Sequence, residues 1–388
     1  MTITPRFAIT LTFLAFGMMM GGQIGAFPAL RQQAGISALE FGVLSMLAAV
    51  SNIAAMSLGG VINKYFDHRS MLLFILPLSL ALLAVSLTPT SIWFFGLSWT
   101  ILNIAAGTMD LFMNAEAGIV EHNLKRPVFS SFHAAVLYSI GGAGFLGGFI
   151  ANNYGPIWAF VPAIPFVVAA IYAVNKAIPH RQEQQEADRM ATVPLPAKIL
   201  VLIGIVLGLD VAAELACIQW SGQLLNEMRP DLAAYSGLGV GFYGLCSGTM
   251  RLFGDKLRTY FSDLKLVGIS LAIGLIGFIL LSLRPNFGIS VVAFAITGCG
   301  LGLVFPCMFA LAGRLVPDAR AAALGMVAMV SGPPRILLPL LLGWLAQTQG
   351  LSTIYIAAAI GIALAILFTY LMAQTITQID GAQVASRP

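Results

Sequence analysis

A few polar side chains interrupt the long apolar runs of this 388-residue chain, and their types and spacing define the chemistry open to it. In the run 91–121 they are Asn103, Asp110, Asn114 and Glu116, with Glu121 near its end. The run 198–225 carries Asp210, Glu214 and Gln219, followed by Trp220. Gln23, Asn52 and His133 stand in three other runs, and Arg335 follows Gly332-Pro333-Pro334. Read as helices, Asp110, Asn114 and Glu121 share one face, Glu116 is turned away, and Asp210 and Glu214 lie one turn apart on a common face. At about 1.5 Å per residue from Lys198, Asp210 lies about 18 Å along its helix and Glu214 about 6 Å further. Two carboxylates so placed in a poorly solvated site do not both ionise readily, so one is expected to hold a proton. That chemistry suits proton uptake and release, with Asp110, Asp210 and Glu214 as the candidates. The plainer reading is that hydrogen bonds or Arg335 satisfy these acids. Arg335 reads equally as counter-ion to Asp210 or Glu214 and as a direct contact to a bound molecule. The pair Pro333-Pro334 cannot continue a regular backbone ladder, so a break that frees carbonyls to line a cavity is expected there. His133 is expected to hydrogen-bond Asn114 or Glu121.

The elements that must position these groups are membrane spans. Hydrophobic residues make up 59% of the chain and charged residues 9%, against about 25% charged in soluble domains. This excludes a soluble enzyme, a disordered regulator and a nucleic-acid binder. A spanning helix takes about 20 apolar residues. Runs near 7–30, 39–62, 70–88, 91–121, 127–151 and 156–176 precede a polar stretch, and runs near 198–225, 233–253, 264–283, 286–313, 321–346 and 351–374 follow it. The expectation is an all-α membrane protein of twelve spans: an N-terminal six-helix bundle (1–176), a cytoplasmic linker (177–197) and a C-terminal six-helix bundle (198–388). The start, Met1 to Arg6, leads straight into the first run and reads as a first span rather than a signal peptide. With the N-terminus inside, sixteen of the twenty Lys and Arg fall on the cytoplasmic side and Arg31, Arg229 and Arg284 on the other, with Arg335 inside a span. This count expects both termini in the cytoplasm. The net charge of +4 then reflects loops rather than an anionic partner. Cys217, Cys246, Cys299 and Cys307 all lie in apolar stretches and read as small core residues. No metal-ligand spacing, Walker loop or Ser/His/Asp order is present, so no enzyme activity, metal or cofactor is expected.

The halves echo one another. After the second run comes Gly59-Gly-Val-Ile-Asn63-Lys64-Tyr-Phe-Asp67-His68-Arg69, and after the eighth Arg251-Leu-Phe-Gly254-Asp255-Lys256-Leu-Arg258. Each resembles the loop motif of the major facilitator superfamily, a Gly, three residues, Asp-Arg and then Gly-Arg-Arg, with Asn63 where the acid is usual and Asp67 where the second Gly is usual. The resemblance implies the major facilitator fold: two pseudo-symmetric six-helix bundles with a substrate site between them near the midplane. Asn63, Lys64, Arg69, Asp255, Lys256 and Arg258 then read either as topology signals that also neutralise helix ends or as latches between the bundles. The small-residue run Gly141-Gly142-Ala143-Gly144-Phe145-Leu146-Gly147-Gly148 lacks the proline of the superfamily's antiporters and reads as close helix packing.

Three segments are similar to fucose and hexose permeases and their bacterial relatives. They are Gly107-Thr-Met-Asp110-Leu-Phe-Met-Asn114, Ala213-Glu214-Leu-Ala-Cys-Ile-Gln219-Trp220 and Gly302-Leu-Val-Phe305-Pro306-Cys-Met-Phe309-Ala-Leu311. By this resemblance Asp110 takes the position implicated in proton coupling and Asn114 the neighbouring polar one. Gly22-Gln23-Ile24-Gly25 runs through the place of those permeases' first-span acid, which argues against fucose itself. The expectation is a monomeric, proton-coupled permease of the bacterial inner membrane moving a small polar organic solute, a sugar among the candidates. Gln23, Asn52, Asn114, Gln219, Trp220 and Arg335 would bind it, with protons and the lipid bilayer as the other partners. Efflux of amphipathic metabolites or drugs is the alternative, and a non-transporting sensor on the same fold the more distant one.

Overall fold

The computed structural model describes residues 3–58, 65–88, 91–125, 128–180, 196–316 and 319–385. The first six helices are α1 (Pro5–Ala34), α2 (Ala38–Ser57), α3 (His68–Ser86), α4 (Ile92–Leu124), α5 (Phe129–Tyr154) and α6 (Pro156–Ala177), which opens with a 3-10 turn. The last six are α7 (Ala197–Met228), α8 (Leu238–Tyr260), α9 (Asp263–Ser282), α10 (Phe287–Leu315), α11 (Arg320–Gln349) and α12 (Ser352–Ala385). Most of the expected 177–197 linker, residues 181–195, lies outside the described residues, as do the loop candidates Asn63 and Lys64.

Local sequence sets the helix ends. Ser37 and Glu40 form a reciprocal capping box at α2, and Thr4, Asp67, Ser91, Ser262 and Asn286 each accept a backbone N–H at the start of a helix. Helix α5 has no such cap of its own. Instead Glu121, at the end of α4, accepts from the backbone N–H groups of Val128 and Phe129 at 2.8 and 2.7 Å. Its charge thus sits against the positive end of the α5 dipole.

Eleven of the twelve helices are long and apolar enough to cross a bilayer. The exception among the described residues is α8, whose apolar run is broken by Arg251, Asp255, Lys256 and Arg258. It joins the second bundle by packing against α10 and faces the first through α5. Two other features differ from the sequence expectation. Helix α10 is interrupted at Gly302 and Leu303. Helix α11 runs unbroken through Pro333, Pro334 and Pro339, because proline's fixed φ is itself helical and packed membrane helices tolerate the missing N–H donors.

The packing of α1–α6 repeats six helices later. The pairs α1–α5, α1–α6, α2–α4, α3–α4 and α3–α6 recur as α7–α11, α7–α12, α8–α10, α9–α10 and α9–α12. Between the bundles the contacts are α5 on α8, their pseudo-symmetric equivalent α2 on α11, and α1 on α7. Glycine makes these approaches possible: a Cβ at Gly147 would stand 2.6 Å from the carbonyl oxygen of Gly22 on α1, and one at Gly244 would stand 2.6 Å from that of Leu137 on α5. The small-residue run of α5 therefore packs against α1 on one side and α8 on the other. The cysteines are all free, with Cys217 and Cys307 buried.

Candidate functional site

The buried polar groups fall into two loci. The first lies where the bundles face one another. Asn114 Nδ2 donates to the Asp110 carboxylate at 2.7 Å and to its backbone oxygen at 2.8 Å, fixing the acid on α4. Asp110 also stands within electrostatic range of Arg335 on α11. Arg335 Nη2 donates across the interface to Asn52 Oδ1 on α2, a long bond at 3.4 Å. Asn52 Nδ2 in turn donates to the Asn103 carbonyl of α4 at 3.4 Å. A carboxylate, a guanidinium and two carboxamides from both bundles thus meet, and the bonds that link one helix to another, those of Asn52 and Arg335, are long and weak. Such a set can exchange its partners for those of a bound polar molecule.

The second locus is enclosed by the C-terminal bundle. Glu214 on α7 accepts from Tyr243 Oη at 2.9 Å and from Arg251 Nη2 at 3.1 Å, both on α8. The Glu214 and Arg251 side chains are only 13% and 11% exposed. Asp210 is fully buried, and neither carboxyl oxygen has a hydrogen-bond partner among the described residues. Glu214's counter-ion is therefore Arg251 and not Arg335. By sequence Arg251 counts among the cytoplasmic cations, but α8 continues to Tyr260 and carries it into the bundle. The sequence signal was its place before the end of the eighth apolar run, masked by the basic residues that follow.

The remaining candidates separate from these loci. Gln23 donates to Ser86 Oγ at 3.1 Å inside the N-terminal bundle, beside a small cavity also lined by Phe16, Ser79 and Asn103. Trp220 is buried in an aromatic cluster where α1, α2, α4 and α7 converge: Phe41 stacks on Trp99, Phe27 meets both edge-on, and Trp220 meets Phe41 edge-on with ring centroids 5.3 Å apart. Over it lies the Arg31 guanidinium, 5.3 Å from the Phe41 ring and 5.5 Å from that of Trp220, donating a hydrogen bond to Gln223. Nearby the Ala38 N–H donates to Gln347 of α11 at 3.0 Å. The bundles are thus sealed together at the end that carries the α1–α2 and α7–α8 turns, and Arg31, read from sequence as a loop cation, belongs to that seal. Gln219 is half-buried on α7.

At the opposite end the described loop residues bond within their own bundles. Arg69 donates to the side chain and carbonyl of Asn175. Arg258 pairs with Asp255 at 3.5 Å and with Asp263 at 2.8 Å, and Asp263 also takes Arg314. Lys256 is exposed. In this conformation the described members latch no bundle to the other, because the α2–α11 contacts lie at the sealed end. His133 bonds neither Asn114 nor Glu121, whose polar atoms serve Asp110 and the start of α5. Its ring packs between Phe13 and Phe129 instead, with centroids 5.4 and 4.9 Å away. Glu116, turned away from Asp110 as its spacing requires, meets His68 of α3 at 3.0 Å.

Comparison with known proteins agrees with this architecture. The Major Facilitator Superfamily profile matches residues 228–381. An uncharacterised MFS-type transporter of Yersinia pestis is 26% identical over 368 residues, covering 91% of this chain and 92% of the relative. An uncharacterised transporter of Sinorhizobium fredii is 25% identical over 351 residues, covering 89% and 92%. Among solved structures, a nucleoside transporter, NupG, superposes with a TM-score of 0.77 at 12% identity, covering 95% of this chain and all of that one. A bacterial homologue of the human lysosomal transporter Spinster, inward-facing and occupied, superposes with a TM-score of 0.70 at 13% identity, covering 95% and 96%. The chain shares the fold of these transporters, and its residues 228–381 match the superfamily profile. It is an all-helical, multi-pass membrane protein.

Proposed function

We propose that this protein is a secondary active transporter that moves a small polar organic solute across the bacterial inner membrane by alternating access, coupled to protons. The observation that carries the reading is the interface locus, where Asp110 and Asn114 face Arg335 and Asn52 from the other bundle and from α2. A solute with several hydrogen-bonding groups, a sugar among the candidates, suits these mixed donors and acceptors. The nucleosides carried by NupG and the sugars of the fucose and hexose permeases belong to that class. Efflux of an amphipathic compound is the second reading. It is disfavoured by the absence of a proline in the α5 small-residue run.

The proposed organisation is an N-terminal unit 1–176, a linker 177–197 and a C-terminal unit 198–388, acting as a monomer with both termini cytoplasmic. In that orientation the Arg31 seal closes the outer side. Cysteines introduced at His180 and Asn153, in a background lacking the four native ones, are expected to label from opposite faces of sealed vesicles. Labelling from one face overturns the topology.

The solute is to be found by thermal stabilisation across a compound panel, since a ligand that binds only the folded state raises its midpoint. With it in hand, Asp110→Asn is expected to abolish uptake driven by a pH gradient in proteoliposomes while sparing counterflow of solute against solute. Wild-type uptake that ignores a pH gradient of either sign, and is untouched by an uncoupler, overturns proton coupling. The protein would then be a facilitator or coupled to another ion.

A further inference from the structure

We propose that Asp210, Glu214, Tyr243 and Arg251 form a one-proton site inside the C-terminal bundle, in which Arg251 and Tyr243 hold Glu214 as the charged partner and Asp210 carries the proton. The inference deepens the proton-coupled reading and rests on it for its role in transport.

The pocket contains two carboxyl groups and one guanidinium. Glu214 takes both the hydroxyl of Tyr243 and a guanidinium N–H of Arg251, so this acid has the donors that a carboxylate needs. Asp210, one turn away and fully buried, has none among the described residues. An ionised carboxylate without partners is far more costly to bury than its neutral form. The proton therefore resides on Asp210 in this conformation. The titratable groups facing the pair are Cys217 on α7, Tyr243 and Arg251 on α8 and, through Cys217, Tyr355 on α12, with His133 of α5 in range of Arg251. Arg251 is the one cation among these, as Arg335 is directed to Asn52.

The same pocket holds the means of releasing the proton. Arg251 Nε is buried and makes no hydrogen bond among the described residues. Loss of the proton from Asp210 leaves two carboxylates on one guanidinium, and this unused N–H is the donor available to the second. Arg251 is thus a positioning residue: it selects which acid is charged. The locus is distinct from Asp110, which lies on α4 of the other bundle with its own donor, Asn114, so proton storage and solute contact need not share a side chain.

The test reads protonated carboxyl groups directly and requires no solute. Infrared spectra of the purified protein in lipid nanodiscs at neutral pH are expected to show the C=O stretch of a protonated carboxylic acid. Asp110→Asn should leave the band that Asp210→Asn removes, and Asp210→Glu should shift that band rather than delete it, which controls for misfolding of the amide variant. Arg251→Gln should add a second protonated carboxyl, and Glu214→Gln in that background should remove it. A band that persists unchanged through Asp210→Asn and Asp210→Glu, or an Arg251→Gln spectrum without the second carboxyl, overturns the site. Uptake indifferent to pH alongside a band that tracks Asp210 would instead overturn the coupling and leave the proton assignment standing.

Discussion

The two polar loci are built from similar side chains and differ in their surroundings. Around Glu214 the bonds are 2.9 and 3.1 Å, the groups are almost wholly buried, and both helices that supply and receive them belong to one bundle. Around Arg335 the bond is long and spans two bundles. A locus inside one packed unit keeps its geometry when the bundles move against each other, whereas one shared between bundles cannot. The first is therefore suited to holding a charge balance, and the second to sensing whether a solute bridges the two halves.

The largest effect that sharpens this contrast is expected at Arg251. Removing one member of a buried ion pair costs roughly 3–5 kcal/mol because the other charge is stranded. Arg251→Gln should lower the thermal midpoint markedly, and Glu214→Gln in the same chain should restore most of the loss. A marginal change for the single variant would mean that the pair is solvated. At Arg335 the expected pattern is the reverse. Stability should hold to within about 1 kcal/mol, since its one hydrogen bond is long, while a lost charged hydrogen bond to solute costs about 1.5–3 kcal/mol, roughly tenfold to a hundredfold in affinity. Thermal-shift titration with the identified solute measures both. A strongly destabilised Arg335→Gln would move this residue into the structural class and erase the contrast.

The smallest effect is outside both loci, at Asp67 before α3. Partial burial opposes its charge, but the Ser70 hydroxyl and backbone N–H, at 2.7 and 3.1 Å, and the His180 ring at 3.2 Å outweigh this and hold its carboxyl below the ordinary carboxylate value. A lowered folded-state value means that the stability contribution is present above the ordinary carboxylate pKa and is lost as the pH falls through the lowered value. Asp67→Ala is expected to cost about 1 kcal/mol as a lost helix cap. The gap in melting temperature from wild type should close in acid. A gap that widens in acid would show that the charge is not what stabilises the cap.

The sequence by itself determined the spans, their number and the six-plus-six repeat, because hydropathy and the punctuation of helix ends are local properties of the chain. It also determined that Asp210 and Glu214 share a face while Glu116 leaves that of Asp110, because helical phase depends only on spacing. Which partner each charge takes was decided by tertiary structure. Arg251 reads as a loop cation until α8 is seen to carry it to Glu214, and Arg31 as another until it is seen over Phe41 and Trp220. Pro333-Pro334 reads as a break, yet the packed helix continues. Gln23 and Trp220, polar or amphipathic enough to line a cavity, point to Ser86 and to an aromatic seal. The physical reason is common to all of these. The free energy of a buried charge or hydrogen-bonding group depends on atoms tens to hundreds of residues away in sequence, and only the packing of α7 on α8, or of α2 on α11, brings those atoms within reach.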